Sequence, residues 1–181
     1  MLTLEQRTRL LQIAREAISA ALDGHRTELD LTTLDAPLRR PAGAFVSLHT
    51  NTGDLRGCIG TIQPVAPLGQ AVHANAVNAA FRDPRFYPLR KEELANLHIE
   101  ISVMSPIEPV TSPEEIEVGR DGLIISRGGR AGLLLPQVAS ELGWDRETFL
   151  RQTCMKAGLP PDTWQSADCR IEKFSAEVFG E

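Results

Sequence analysis

The chain has 181 residues, 42% of them apolar and 24% charged, with a formal net charge of −5. That length is enough for a real core in one domain or two small ones. The acidic balance and the few aromatics weigh against nucleic-acid binding, which draws on a basic surface, and no apolar run approaches the ~20 residues that cross a bilayer.

In chain order, residues 3–22 read as an amphipathic helix. Leu4, Leu10, Leu11, Ala14, Ile18 and Leu22 recur at helical spacing, Thr3 with Gln6 forms a capping-box pattern, and Asp23-Gly24 ends the run. This polar, amphipathic start is not a basic segment leading an apolar one, so no signal peptide is expected. Residues 25–42, with Pro37 and Pro41, read as a loop. Residues 43–50 and 55–61 read as two strands joined across 51–54, a β-hairpin. Leu68 to Phe81 reads as a helix rich in small residues, with Leu68, Val72, Ala76, Ala79 and Ala80 on its apolar side. Pro84 and Pro88 break it, Arg90 to Asn96 reads as a short helical turn, and Leu97 to Met104 as a strand.

Residues 105–119 carry three prolines and several glutamates and read as a connection with at most one short helix. A second hairpin follows, 122–127 and 130–135, turning at Gly128-Gly129. Two helices, 137–142 and 145–157, come next, with Asp145 as N-cap of the second, and a last strand lies within 167–179. Hairpins outnumber βαβ crossovers, so the expected class is α+β with mainly antiparallel sheet. Either a single domain spans 1–181, or two closely packed lobes divide near 105–119.

The chemistry concentrates in the first hairpin. If residues 51–54 are the connection, Leu48 faces Gly57 and Val46 faces Ile59 on an apolar side. His49 then meets Arg56, Ser47 meets Cys58 and Phe45 meets Gly60 on the other. Ser47, His49, Arg56 and Cys58 are an odd set to bury for packing alone. Glycine inside a strand marks a bulge or a close approach, so Gly57 and Gly60 leave the backbone beside Cys58 open to a ligand or to another piece of chain. Arg56, nearby on the same face, favours a Cys58 thiolate, with His49 as a candidate base. Asp83 and Arg85 offer a charge pair, either a brace for the turn or, through Arg85, a contact for carboxylate or phosphate.

Elsewhere the bland reading prevails. His73 is linked to Cys58 only by nearness in sequence, and Arg127-Gly128-Gly129-Arg130 is explained as a hairpin turn. Cys154 reads as core and Cys169 as a strand residue, and the three cysteines are scattered, which suits a reducing compartment, taken as the cytoplasm. No His or Cys spacing suits a metal, so neither metal nor cofactor is expected.

The segment Leu55–Thr61, Leu-Arg-Gly-Cys-Ile-Gly-Thr, resembles the signature of the domain named after the AMME-syndrome candidate protein, whose bacterial and archaeal members are called protein A of the AmmeMemoRadiSam system. Residues 83–89, 99–103, 135–139 and 156–159 resemble further blocks of that family, in family order. The resemblance implies two α/β-sandwich lobes, one discontinuous in sequence, and association with a Memo-like, dioxygenase-fold protein and a radical-SAM enzyme. It favours a ligand- or partner-binding module acting through the motif face, with Ser47, His49, Arg56, Gly57, Cys58, Gly60, Asp83 and Arg85 as binding candidates. The alternative is an enzyme using Cys58 as a thiolate activated by Arg56, with Cys58, Arg56 and His49 as catalytic candidates. Nucleic-acid binding is the weakest expectation.

Overall fold

The computed structural model describes residues 1–181. In chain order its elements are α1 (Leu4–Leu22), α2 (Ala36–Arg39), β1 (Ala44–His49), β2 (Leu55–Thr61), α3 (Leu68–Phe81), β3 (His98–Met104), β4 (Glu108–Pro109), β5 (Asp121–Arg127), β6 (Arg130–Leu134), α4 (Pro136–Glu141), α5 (Arg146–Lys156) and β7 (Arg170–Gly180). The class is the expected mixture of helices with antiparallel sheet. Two compact units divide the chain: Met1–Met104 with Glu177–Glu181, and Ser105–Ala176. No helix is long and apolar enough to cross a membrane.

In the first unit, Gln6 N–H donates to Thr3 Oγ1 (3.2 Å) and Thr3 N–H to Gln6 Oε1 (3.0 Å), so the capping box starts α1 as the sequence predicts. Leu10, Ala14 and Ile18 carry its buried stripe, joined by Ile13 and Ala17. Leu4, placed on that stripe by spacing, is 80% exposed, because the buried stretch of the helix begins only at Leu10. Residues 25–42 are not all loop. A 3₁₀ turn at Leu31–Thr33 is capped by Asp30 Oδ1, which accepts from Thr32 N–H at 2.9 Å, and α2 follows with proline in its first turn.

The sheet of this unit runs β2-β1-β3, with the end of β7 on the far side of β3. Ala44, Val46 and Leu48 alternate inward from β1, and Ile99 and Ile101 from β3. They meet Leu10, Ile13 and Ile18 of α1 and Val72, Ala76 and Ala79 of α3 in one core. The small residues of α3 let it lie close to the sheet, as its composition predicts.

In the second unit, β7 pairs β4 on one side and β5 on the other, and β6 pairs β5. The β5–β6 turn holds Gly128 and Gly129 at φ +57° and +79°, left-handed positions that match the twist of a two-residue hairpin loop. Asp145 caps α5 by accepting from Thr148 N–H at 2.8 Å. Ile116, Leu123, Ile125, Ala139, Phe149, Leu150 and Cys154 form a separate core. Residues 105–119 contain the two-residue β4 and a 3₁₀ turn at Pro113–Glu115. Cys169 lies just ahead of β7 and packs against this core, not within a strand.

Candidate functional site

The β1–β2 hairpin keeps the expected register for most of its length. Ala44 faces Thr61, Phe45 faces Gly60, Val46 faces Ile59, Ser47 faces Cys58 and Leu48 faces Gly57. The register then shifts, and His49 faces Leu55 instead of Arg56. Arg56 is therefore the extra residue of a β-bulge, a device that re-aims a side chain. The expected pairing of His49 with Arg56 is corrected accordingly. His49 Nε2 is buried with no hydrogen-bond partner.

Both motif glycines have packing reasons that the sequence reading did not see. A β-carbon on Gly57 would collide with the carbonyl oxygen of Ala79, so the bare backbone there admits α3. One on Gly60 would collide with the Phe45 ring and the backbone of residues 44–45. The space beside Cys58 is thus taken up by the chain itself, one of the two outcomes foreseen for a glycine-flanked strand.

β2 is the edge strand of this unit's sheet, so the N–H and C=O of Cys58 that point away from β1 need other partners. The turn after α3 supplies them. Cys58 N–H donates to Asp83 Oδ2 at 2.9 Å, and Arg85 Nη2 approaches the Cys58 carbonyl at 3.4 Å. Asp83, only 4% exposed, also accepts from Arg85 N–H (3.1 Å), Nε (3.0 Å) and Nη2 (2.7 Å). Its carboxyl is held far below the usual carboxylate range, first by the Arg85 side chain and then by the Cys58 and Arg85 backbone donors, which outweigh the cost of burial. The charge pair foreseen at Asp83 and Arg85 is an internal brace, yet the Arg85 side chain stays 56% exposed and faces outward as well.

Ser47 Oγ donates to Cys58 Sγ at 3.1 Å across the non-hydrogen-bonded strand pair, where side chains approach most closely. Arg56 is committed elsewhere. Its Nε and Nη2 donate to Glu93 Oε1 and Oε2 at 2.8 and 3.1 Å, and its Nη1 is buried without a partner. Glu93 comes from a 3₁₀ turn, Lys91–Asn96, and its Oε2 also accepts from Arg90 N–H at 2.8 Å. The Glu93 carboxyl is lowered, chiefly by Arg56. The guanidinium adjoining the Cys58 backbone is therefore that of Arg85.

Beside this assembly lies an open groove of about 540 Å³, lined by Arg56, Arg85, Phe86, Tyr87, Pro88, Arg90 and Glu93. Tyr87 is 90% exposed, and the Arg85 guanidinium stands 5.4 Å from the centre of the Phe86 ring. Cys58 is half-buried and not among the lining residues. His73 lies apart from them as well, its Nε2 3.0 Å from Thr27 Oγ1 and its pKa lowered by burial. Sequence reasoning missed Tyr87, Arg90 and Glu93 as site residues. The available signal was the spacing of Arg90 and Glu93 across a capping turn just after two prolines.

The family model of AMMECR1 matches residues 11–179, from within α1 into the last strand. The chain belongs to the AMMECR1 family. Among AMMECR1 relatives, a protein of Methanothermobacter thermautotrophicus is 48% identical over 178 residues, covering 95% of this chain and 92% of its own length. A protein of Thermococcus gammatolerans is 45% identical over 181 residues, covering 95% and 88%. The crystal structure of the uncharacterized protein PH0010 from Pyrococcus horikoshii superposes with a TM-score of 0.83 at 43% identity, covering 99% of this chain and 93% of that one.

Proposed function

We propose that this AMMECR1-family chain is a binding module that acts with a Memo-like protein and a radical-SAM enzyme. The contact surface is the face built by the Leu55–Thr61 motif, the turn at 83–88 and the turn at 91–96. One observation carries this: Tyr87 stands 90% exposed on a groove shared with Arg85 and Arg90. Exposed tyrosine beside arginine is the composition of interface hot spots. The polar groups of the motif, by contrast, brace the fold: Asp83 serves the Cys58 backbone and Glu93 serves Arg56. An enzyme acting through the Cys58 thiolate needs a proton acceptor at Sγ, and the neighbour hydrogen-bonded to that sulfur is the Ser47 hydroxyl.

The test is titration calorimetry against the purified Memo-like and radical-SAM proteins of the same organism. Tyr87→Ala is expected to weaken the complex by about 1–2 kcal/mol. Its unfolding curve should stay unchanged, since the side chain is solvent-exposed. Cys58→Ser is expected to bind like the parent. Absence of binding by the parent chain, or full affinity in Tyr87→Ala, defeats the proposal.

A further inference from the structure

The charges around the groove are unevenly committed. Asp83 is occupied by Arg85 and the Cys58 backbone, and both oxygens of Glu93 are occupied by Arg56 and the Arg90 N–H. The guanidinium groups are not used up to the same degree. Arg85 spends Nε and Nη2 on Asp83 and keeps Nη1 free on a side chain 56% exposed. Arg90 is 80% exposed, and its Nε stands 3.7 Å from Glu93 Oε2, beyond hydrogen-bond reach. Two spare guanidinium donor sets therefore line one groove next to an exposed tyrosine, with no free carboxylate among the lining residues.

We propose that this groove takes an acidic peptide segment of a protein partner, with a carboxylate held by Arg85 and Arg90 and the adjoining side chain packed on Tyr87. The proposal rests on the binding-module reading and names the chemistry of the bound segment. Guanidinium donors suit a planar carboxylate, which two-pronged hydrogen bonds can hold. A phosphate of single-stranded nucleic acid would find the same donors and an aromatic platform. That mode, however, uses a basic track along the backbone, and this chain carries a net charge of −5. A local cationic groove on an acidic protein favours a short acidic segment over a long polyanion.

The experiment is fluorescence anisotropy with the full chain and a short labelled peptide alternating glutamate and leucine. Glutamine replaces glutamate in a second peptide, and unlabelled oligo-dT serves as competitor. The glutamate peptide is expected to bind at least about tenfold more tightly than the glutamine peptide, as charge-assisted hydrogen bonds of this kind require. Added salt should weaken it. Arg90→Gln, whose side chain makes no hydrogen bond in the fold, should weaken the glutamate peptide about fivefold or more while leaving the unfolding midpoint in place. Arg127→Gln, on the β5–β6 hairpin, should change nothing. Equal binding of the two peptides, binding of neither, or an Arg90→Gln variant of full affinity overturns the proposal. Displacement by oligo-dT at or below the peptide concentration overturns it in favour of nucleic acid. If the peptide fails while the partner proteins still bind and Tyr87→Ala still weakens them, the acidic-segment inference falls alone. If the partners fail and the peptide binds, the module reading falls instead.

Discussion

Asp83 is the residue on which the motif's backbone depends. One buried carboxylate takes the outward N–H of Cys58 and three donors of Arg85. Asp83→Asn keeps the shape but removes the charge and turns one acceptor oxygen into a donor facing other donors. It is expected to lower stability by about 2 kcal/mol, measured as a shift in urea midpoint at constant slope. The pH dependence follows from the direction of the shift. Asp83 and Glu93 both have folded pKa values below their unfolded ones, which lie near 4. Their contribution is therefore fully present above about pH 4 and is lost as pH falls towards the depressed folded values. In a series of urea titrations, Asp83→Asn should lose less stability than the parent on going from neutral to strongly acidic pH. Equal losses in the two proteins would count against Asp83 as the linked group.

At the scale of elements, the hairpin, α3 and the edge of β2 form one device. Gly57 brings the helix against the strand, and the turn that ends the helix then reaches the open edge at Cys58. Gly57→Ala should force α3 away from β2, because the obstacle is the Ala79 backbone oxygen, which no rotamer change can move. The expected cost is about 3 kcal/mol, read from chemical denaturation, and Ala79→Gly in the same chain should not restore it. Much of this was legible beforehand. The apolar alternation of β1 and β3, the small-residue face of α3 and the capping box at Thr3 each follow from local spacing, and each stands in the structure. The bulge at Arg56 was not legible. A one-residue shift leaves no trace in alternation so near a turn, and the partner that the bulged Arg56 meets, Glu93, lies 37 positions away. Nor could spacing show that the motif glycines serve α3 and Phe45, since both contacts come from packing. The charge pair at Asp83 and Arg85 was visible, but its third partner, a backbone N–H, leaves no mark in a sequence.

For the whole molecule, the most consequential element is β7. Its first residues pair β5 within the second unit, and its last ones complete the first. There Glu177 accepts from Leu2 N–H at 3.1 Å and from Arg7 Nε at 2.9 Å. Glu181 pairs with Arg15 and accepts from Ile99 N–H at 3.2 Å. Removing residues 177–181 should therefore weaken the first unit by about 2–4 kcal/mol and speed hydrogen exchange at β3 amides, while the amides of β5 and β6 keep their protection. Uniform acceleration across both units would contradict this. The usual order of events on the ribosome, in which the earlier part of a chain finishes folding first, is then reversed here. While translation proceeds, the stretch ending at Met104 emerges with a bare flank along β3, open to mispairing with neighbouring nascent chains, and it stays so until residues 177–181 clear the exit tunnel and seal it.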